Sequence, residues 1–213
     1  MGKYFYKLRV VDGEKMNQKK IIAIILIYGL CGIAANLAHP VTPTLFNMHG
    51  FGSKVFGYAF SMMSFANFAF SYLWSILYQK WYAKFIVLLC CISYAIAQIL
   101  FINAHTTASL LLARFLAGVF VSGLLIGLPF YMIQYVSVNE RSSIITKVAT
   151  VFSFGGTLGY FLGGLIGNTN IYIPLYTQVI VLIICGITFF FVMEKNEISS
   201  SQELIKSKTI INY

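Results

Sequence analysis

Long uninterrupted apolar runs dominate the pattern of this 213-residue chain. Six of them, at 21–46, 55–78, 85–103, 107–136, 143–167 and 172–193, approach or exceed the ~20 residues with which a helix crosses a bilayer. Only helices or closed barrels satisfy their backbones in lipid, and these runs lack the alternation of barrel strands. The pattern predicts an all-α polytopic membrane protein. We expect a polar segment at 1–20, a six-helix transmembrane bundle at 21–193 and a polar tail at 194–213.

Positive charges lie almost entirely at the two ends of the chain and in alternate connections between the spans. These regions hold Lys3, Lys7, Arg9, Lys15, Lys19, Lys20, Lys80, Lys84, Arg141, Lys147, Lys195, Lys206 and Lys208, whereas the other connections hold only Lys54. Because cationic loops resist translocation, both termini are expected in the cytoplasm. The formal charge of +9 therefore records orientation in a cell (inner or plasma) membrane, with the lipid bilayer as partner and no nucleic acid required.

The six spans differ in composition. The third and sixth are the most uniformly apolar, which suits an outer position against lipid. The first, second, fourth and fifth carry Gly, Pro, Asn and Arg residues, and small residues let helices approach closely. These four spans are therefore predicted to be interior or interface-forming. Near the end of the first span, Pro40 and Pro43 are expected to break the backbone hydrogen-bond ladder.

A stripe of glycines marks the fifth span as a helix-packing interface. Its members share one helical face because they recur every four residues, with two further glycines beside them: Gly155, Gly159, Gly163, Gly167, Gly156 and Gly164. Such a stripe predicts a close contact with another helix. The spacing leaves two partners open, a helix of the same bundle or a helix of a second bundle.

A single arginine lies inside a predicted span. Arg114 is seven residues into the fourth span, ~10 Å below its end. An intramembrane cation costs at least ~2.5 kcal/mol unless it is paired or hydrated, so it usually marks a pathway, although snorkelling to the surface is the alternative. Asn36, Asn67, Gly118 and Gln134 supply amide groups or space nearby in the bundle, and with Arg114 they are the predicted substrate pathway.

Acidic residues are missing from all six spans, which limits the chemistry available in the membrane. The six of them lie outside the spans: Asp12, Glu14, Glu140, Glu194, Glu197 and Glu203. Motifs of intramembrane serine proteases, zinc helices and phosphate-binding loops are absent, so we expect neither enzyme activity nor a cofactor. His39, His49 and His105 fall at one end of the bundle, where a metal or pH-sensing site is an alternative without supporting spacing.

Two motifs lie on the second connection and the fourth span. Residues 75–84 read Ser-Ile-Leu-Tyr-Gln-Lys-Trp-Tyr-Ala-Lys, and the fourth span carries Leu110-x-x-x-Arg114. They resemble the gating loop (Gly-x-Leu-x-Asp-Arg-x-Gly-Arg-Lys) and the intramembrane arginine motif of the major facilitator superfamily. Lys80 and Lys84 match the loop, whereas Gln79 stands where the family has Asp. On the fifth span, the glycines at 155, 159, 163 and 164, with Tyr160 in place of Pro, resemble the antiporter motif of the drug-efflux branch.

The resemblance implies the amino-terminal six-helix half of a transporter of this family. The first and fourth spans, with Asn36 and Arg114, would line the substrate path, and the fifth-span glycines would abut a second six-helix bundle. Such proteins move a small-molecule substrate by alternating access between two halves. The implied function is export or exchange as a homodimer or with a separate second half. The alternatives are a non-transporting membrane partner that stabilises a complex, or a truncated inactive remnant.

Overall fold

The computed structural model of the chain describes residues 16–194, and all regular structure in that part is helical. The helices are α1 (Gln18–Leu37), α2 (Thr42–Met48), α3 (Ser53–Lys80), α4 (Ala83–Ile102), α5 (Thr107–Met132), α6 (Arg141–Gly167) and α7 (Tyr172–Val192), with a 3₁₀ turn at Val138–Glu140. Six segments are long and apolar enough to cross a membrane, α1 and α2 together forming the first. The predicted all-α, six-span fold is confirmed. Segments 1–15 and 195–213 lie outside the described residues, so the predicted polar ends are described only in part.

The first span is broken where its prolines predict. α1 ends at Leu37, Pro40 lies in the turn that follows, and α2 begins at Thr42. Pro43 stands in the first turn of α2, where its missing N–H would have had no partner in any case. The Thr42 hydroxyl donates to the Ala38 carbonyl oxygen at 2.8 Å, which satisfies one acceptor freed by the break. The break thus places the Thr42 hydroxyl inside the bundle.

The fourth span ends earlier than predicted. α5 stops at Met132, four residues before the expected limit of 136, and the chain turns before the 3₁₀ segment. Ser137 begins that segment in a capping box, because its N–H and hydroxyl both donate to the Glu140 carboxylate, at 3.1 and 2.7 Å. The Ser-x-x-Glu spacing is the sequence signal for such a start, so it also marks where the span must already have ended.

The helices pack as two intertwined groups of three. α1 packs mainly on α6, and α5 packs mainly on α3; α4 contacts α5, α7 contacts α1, and α4 and α7 contact each other. Exchanging α1, α3 and α4 for α5, α6 and α7 leaves this pattern unchanged. Corresponding helices run in opposite directions because their positions in the order of spans differ by three, so the bundle is an inverted-topology repeat.

The glycine stripe of α6 lies directly against α1. An added Cβ would collide with a carbonyl oxygen of α1 at three of its positions, in the pairs Gly155 with Gly29, Gly159 with Ile33, and Gly163 with Leu37. Gly167 faces the Val41 side chain, whereas Gly164 is looser, with the Pro40 Cβ at 3.8 Å as its nearest neighbour. The expectation that these glycines abut a second bundle is wrong, because α1 of the same bundle already occupies this face.

Burial within the described bundle divides the spans differently from their composition, because two of the four spans predicted to be interior or interface-forming are largely uncovered. α3 and α6 are the least buried spans, while α4 packs closely against its neighbours and α7 is intermediate. α3 exposes Phe65, Phe68 and Tyr72, and α6 exposes Phe154 and Phe161. α4 and α7 also expose apolar side chains, among them Leu89 and Ile180, so the prediction that they face lipid stays a prediction.

The two ends of the bundle are distinguishable by their contacts. One end, called the α2 end below, contains α2 and the connections at 49–52, 103–106 and 168–171. At the opposite end, Lys20 forms an ion pair with Glu194. The Glu194 N–H donates to the Tyr131 hydroxyl at 3.0 Å. These contacts join the start of α1 to the ends of α5 and α7.

Candidate functional site

Arg114 lies within the bundle near the α2 end, where three other helices surround its guanidinium. A capping box of Thr106 and Ser109 starts α5 and fixes the register that brings Arg114 to the interior two turns later. The side chain is 2% exposed, and its Cζ lies 3.5 Å from the centroid of the Phe101 ring on α4. This cation–π contact stabilises a buried guanidinium without a carboxylate.

Two weaker contacts complete the surroundings of the guanidinium. Nη2 donates to the Thr42 hydroxyl of α2 at 3.4 Å, and Nη1 lies 4.0 Å from the Met63 sulfur of α3. Among the described residues, the ion pair is the one between Lys20 and Glu194 at the opposite end of the bundle. Arg114 therefore has no acidic partner in the part of the chain that the structure describes. Within residues 16–194, the guanidinium is therefore stabilised by contacts with a ring, a hydroxyl and a thioether.

His39 lies in the break between α1 and α2, on the side that faces α3 and α6. Its ring centroid is 5.5 Å from Phe60 of α3 and 5.4 Å from Tyr160 of α6, and it stacks on Tyr160 with the planes 18° apart. The His39 carbonyl oxygen accepts from the Thr42 N–H at 3.3 Å. Since Thr42 also contacts Arg114, this one turn of chain connects the imidazole to the buried guanidinium.

A second buried polar group lies behind this site, on α4 and α7. The Tyr94 hydroxyl donates to the Ala35 carbonyl oxygen at 3.3 Å and accepts from Gln178 Nε2 at 3.1 Å. Gln98, one turn further along α4, is 1% exposed, and neither its amide nitrogen nor its amide oxygen has a partner among the described residues. The predicted pathway missed Tyr94 and Gln178. Gln178 could have been found as an isolated amide in an otherwise apolar run.

The structure distributes the predicted pathway residues over several regions. Asn36 is half-buried on α1, where its amide donates to the Gly32 carbonyl oxygen at 2.9 Å. Gly118 is buried against α3, because an added Cβ would collide with the backbone of that helix. Asn67 is half-buried on α3. Gln134 is exposed beyond the end of α5, so its predicted place within the fourth span is wrong. Two of them reach the turn that holds His39: Arg114 donates to the Thr42 hydroxyl, and the Asn36 carbonyl oxygen accepts from the His39 N–H at 3.3 Å.

The residues of the predicted gating loop lie at the opposite end of the bundle. Gln79 and Lys80 are exposed at the end of α3, and the Gln79 amide donates to the Ser75 carbonyl oxygen of its own helix at 3.1 Å. The Lys84 ammonium lies 4.8 Å from the centroid of the Phe190 ring on α7. Lys84 therefore anchors the start of α4 to the end of α7 through a cation–π contact.

The His49 and His105 rings form a separate pair at the α2 end. Their centroids are 5.5 Å apart, and His49 Nδ1 is 2.8 Å from the Ala104 carbonyl oxygen. His39 instead contacts Phe60 and Tyr160, so the structure does not gather the three histidines. Within residues 16–194, no group of three or more His, Cys, Asp or Glu residues could hold a metal ion.

Two inverted three-helix repeats with an arginine buried between them define a class, the polytopic membrane proteins built like secondary transporters. The family model of the Major Facilitator Superfamily matches residues 24–209, most of the chain. The chain therefore belongs to the major facilitator superfamily, a family of membrane transporters rather than enzymes. No curated protein matches it.

Proposed function

We propose that this chain supplies one six-helix half of a secondary permease, which exports or exchanges a small molecule by alternating access. Membership of the transporter family supports the general function. The more specific proposal, that the chain pairs with a second six-helix half, rests on the exposed surfaces of α3 and α6.

α3 and α6 combine the greatest exposure with the least apolar composition. They have the lowest mean hydropathy of the six spans and are also the least buried. Lipid-facing surfaces are normally the most apolar part of a membrane protein, since each exposed polar group there is costly. Ser61 and Ser64 on α3 and Thr157 on α6 are nevertheless exposed. Surfaces of this kind fit another protein or a water-filled path, and a second six-helix bundle supplies both.

The distribution of cations supports one orientation of the bundle. Lys54 lies at the α2 end, whereas Lys80, Lys84, Arg141 and Lys147 lie at or near the opposite end. By the positive-inside rule, the α2 end faces outward and both termini face the cytoplasm of a cell that carries the protein in its inner or plasma membrane. The site around His39 and Arg114 then lies in the outer half of the membrane.

A cross-linking experiment in native membranes tests the second half. Phe68→Cys places a thiol on the exposed face of α3, and Phe191→Cys places the matched thiol on α7, where Phe191 is similarly exposed. We expect a thiol-reactive cross-linker to join the α3 variant to a second copy or to another six-helix protein, and to leave the α7 variant uncoupled. Equal coupling from both positions would show that α3 has no specific partner.

A flux experiment tests transport itself. Liposomes that contain the protein, together with any partner captured by cross-linking, are loaded with an anionic, a neutral or a cationic dye. We expect protein-dependent efflux of at least one dye, and loss of that efflux in an Arg114→Gln variant that still inserts. Efflux that persists in the variant would remove Arg114 from the mechanism.

One observation favours a second function, that of a non-transporting partner or an inactive remnant. Gln79 stands at the position of the gating-loop Asp, and its amide is bonded to its own helix, so this chain has no carboxylate for that lock. Both forms of this alternative predict the absence of efflux for every dye, and the non-transporting partner also predicts a protein that co-purifies with the chain.

A further inference from the structure

The ring cluster of His39, Phe60 and Tyr160 forms an aromatic surface between the two most exposed helices. Tyr160 is 48% exposed, and the imidazole stacks on one face of its ring. Phe56 extends the cluster along α3, with its ring centroid 4.8 Å from that of Phe60. Aromatic faces attract planar rings in offset or edge-to-face geometry. This surface can therefore accept a flat ligand from the side on which α3 and α6 are uncovered.

The electrostatic field behind this surface is positive. Arg114 is connected to the His39 turn through Thr42, whose hydroxyl accepts from Nη2 at 3.4 Å and whose N–H donates to the His39 carbonyl oxygen at 3.3 Å. The acidic residues that the structure describes, Glu140 and Glu194, both lie at the end of the bundle opposite Arg114. In a low-dielectric interior, an uncompensated charge acts over longer distances than in water. The wall that this chain contributes to a substrate path therefore attracts anions and repels cations.

We propose that the substrate of this permease is a planar organic anion of the aromatic carboxylate class. The proposal rests on the transport function proposed above. The substrate ring stacks beside Tyr160 and Phe60, and its negative charge is stabilised by the field of Arg114, which Thr42 holds next to the His39 turn. An organic cation of the same size would gain the ring contacts and lose the electrostatic contribution.

The experiment measures binding rather than transport, so it does not depend on a second half. The purified protein in an uncharged maltoside detergent is titrated with benzoate, benzyl alcohol and benzyltrimethylammonium by isothermal calorimetry. We expect a dissociation constant for benzoate at least about tenfold below that for benzyltrimethylammonium, with the neutral alcohol between them. Equal or tighter binding of the cation would overturn the proposal.

Substitutions test which side chains cause the preference for benzoate over benzyltrimethylammonium. Arg114→Gln should abolish the difference between benzoate and benzyltrimethylammonium, while Lys147→Gln, which removes an exposed charge from α6, should retain it. Tyr160→Ala, at an exposed ring, should weaken all three ligands together, and it keeps the test available if Arg114→Gln fails to fold. Loss of the preference in Lys147→Gln would mean that the net charge of the protein, rather than this site, selects the ligand.

Three further outcomes distinguish this proposal from the proposed transport function and from the binding of a lipid headgroup. Selective benzoate binding without dye efflux would sustain the ligand class and contradict the proposed transport. Efflux of the cationic dye alone would sustain transport and contradict the ligand class. Phosphatidylglycerol that displaces benzoate at equimolar concentration would assign Arg114 to a lipid headgroup and overturn the substrate proposal.

Discussion

The contact between α1 and α6 makes a specific prediction for Gly159→Ala. An added methyl carbon would lie 3.0 Å from the Ile33 carbonyl carbon and 3.1 Å from its Cα, with the carbonyl oxygen closer still. Non-bonded carbon atoms are normally about 3.5–4.0 Å apart, so the two helices must separate by roughly 0.5–1 Å. Because the obstructing atoms belong to the backbone, no side-chain rotation can relieve the collision. We expect a loss of about 1–3 kcal/mol in the free energy of unfolding.

Two further glycines provide a graded control for this substitution. At Gly156, a methyl would meet the Asn36 amide nitrogen at 2.9 Å, and that side chain can turn away, so a smaller loss is expected. At Gly57, no atom lies within 4 Å of the added carbon. Gly57→Ala should therefore be neutral or stabilising by up to about 1 kcal/mol, because alanine favours the helix.

The assay is reversible unfolding of the purified protein in mixed detergent micelles. Increasing fractions of sodium dodecyl sulfate are added to dodecyl maltoside, and helix loss is followed by far-ultraviolet circular dichroism. The order of stability should be Gly57→Ala, then Gly156→Ala, then Gly159→Ala. If Gly159→Ala unfolded within about 0.5 kcal/mol of the unsubstituted protein, the close approach of α1 and α6 would be refuted.

Two smaller effects can be measured in the same assay. Tyr78→Phe removes a buried hydrogen bond of 2.9 Å to the Gly123 carbonyl oxygen and should cost about 1 kcal/mol, whereas Tyr72→Phe, at an exposed ring, should cost nothing measurable. Lys20→Gln removes an ion pair with Glu194 whose side chains are about half exposed, so we expect a change of less than about 1 kcal/mol that shrinks further in high salt. If Lys20→Gln instead lowered the free energy of unfolding by several kcal/mol, the ion pair would be shown to hold the end of α7 in place.

The number and type of helices could be predicted from the sequence because each depends on a local property. Apolar length indicates a span, and Pro40 and Pro43 indicate where a ladder breaks, whatever the rest of the chain does. The regular spacing of Gly159 and Gly163 likewise predicts a close contact. Which helix makes that contact depends on how two distant segments of the chain pack together. A single sequence carries no local signal for this packing.

In the candidate site too, local properties could be predicted from the sequence, whereas contacts between distant segments could not. Arg114 stood out because a cation within an apolar run is expensive wherever it lies. Its neighbours Phe101, Thr42 and Met63 are ordinary residues in a membrane helix, and only the packing of four helices gives them a role. Tyr160 was read as a substitution within a glycine motif, whereas the structure presents its ring beside His39.

The intertwined packing of the two repeats also constrains how the protein can be made. α1 leaves the ribosome well before its main partner, α6, which begins only at Arg141, about a hundred residues after α1 ends at Leu37. Until then its small-residue face, including Gly29 and Gly32, has no native surface to cover it. α3 avoids this delay, since α5 follows it after a single intervening span. This face of α1 therefore stays without its protein partner through the synthesis of four further helices, and the bundle closes only when its first helix meets one of its last.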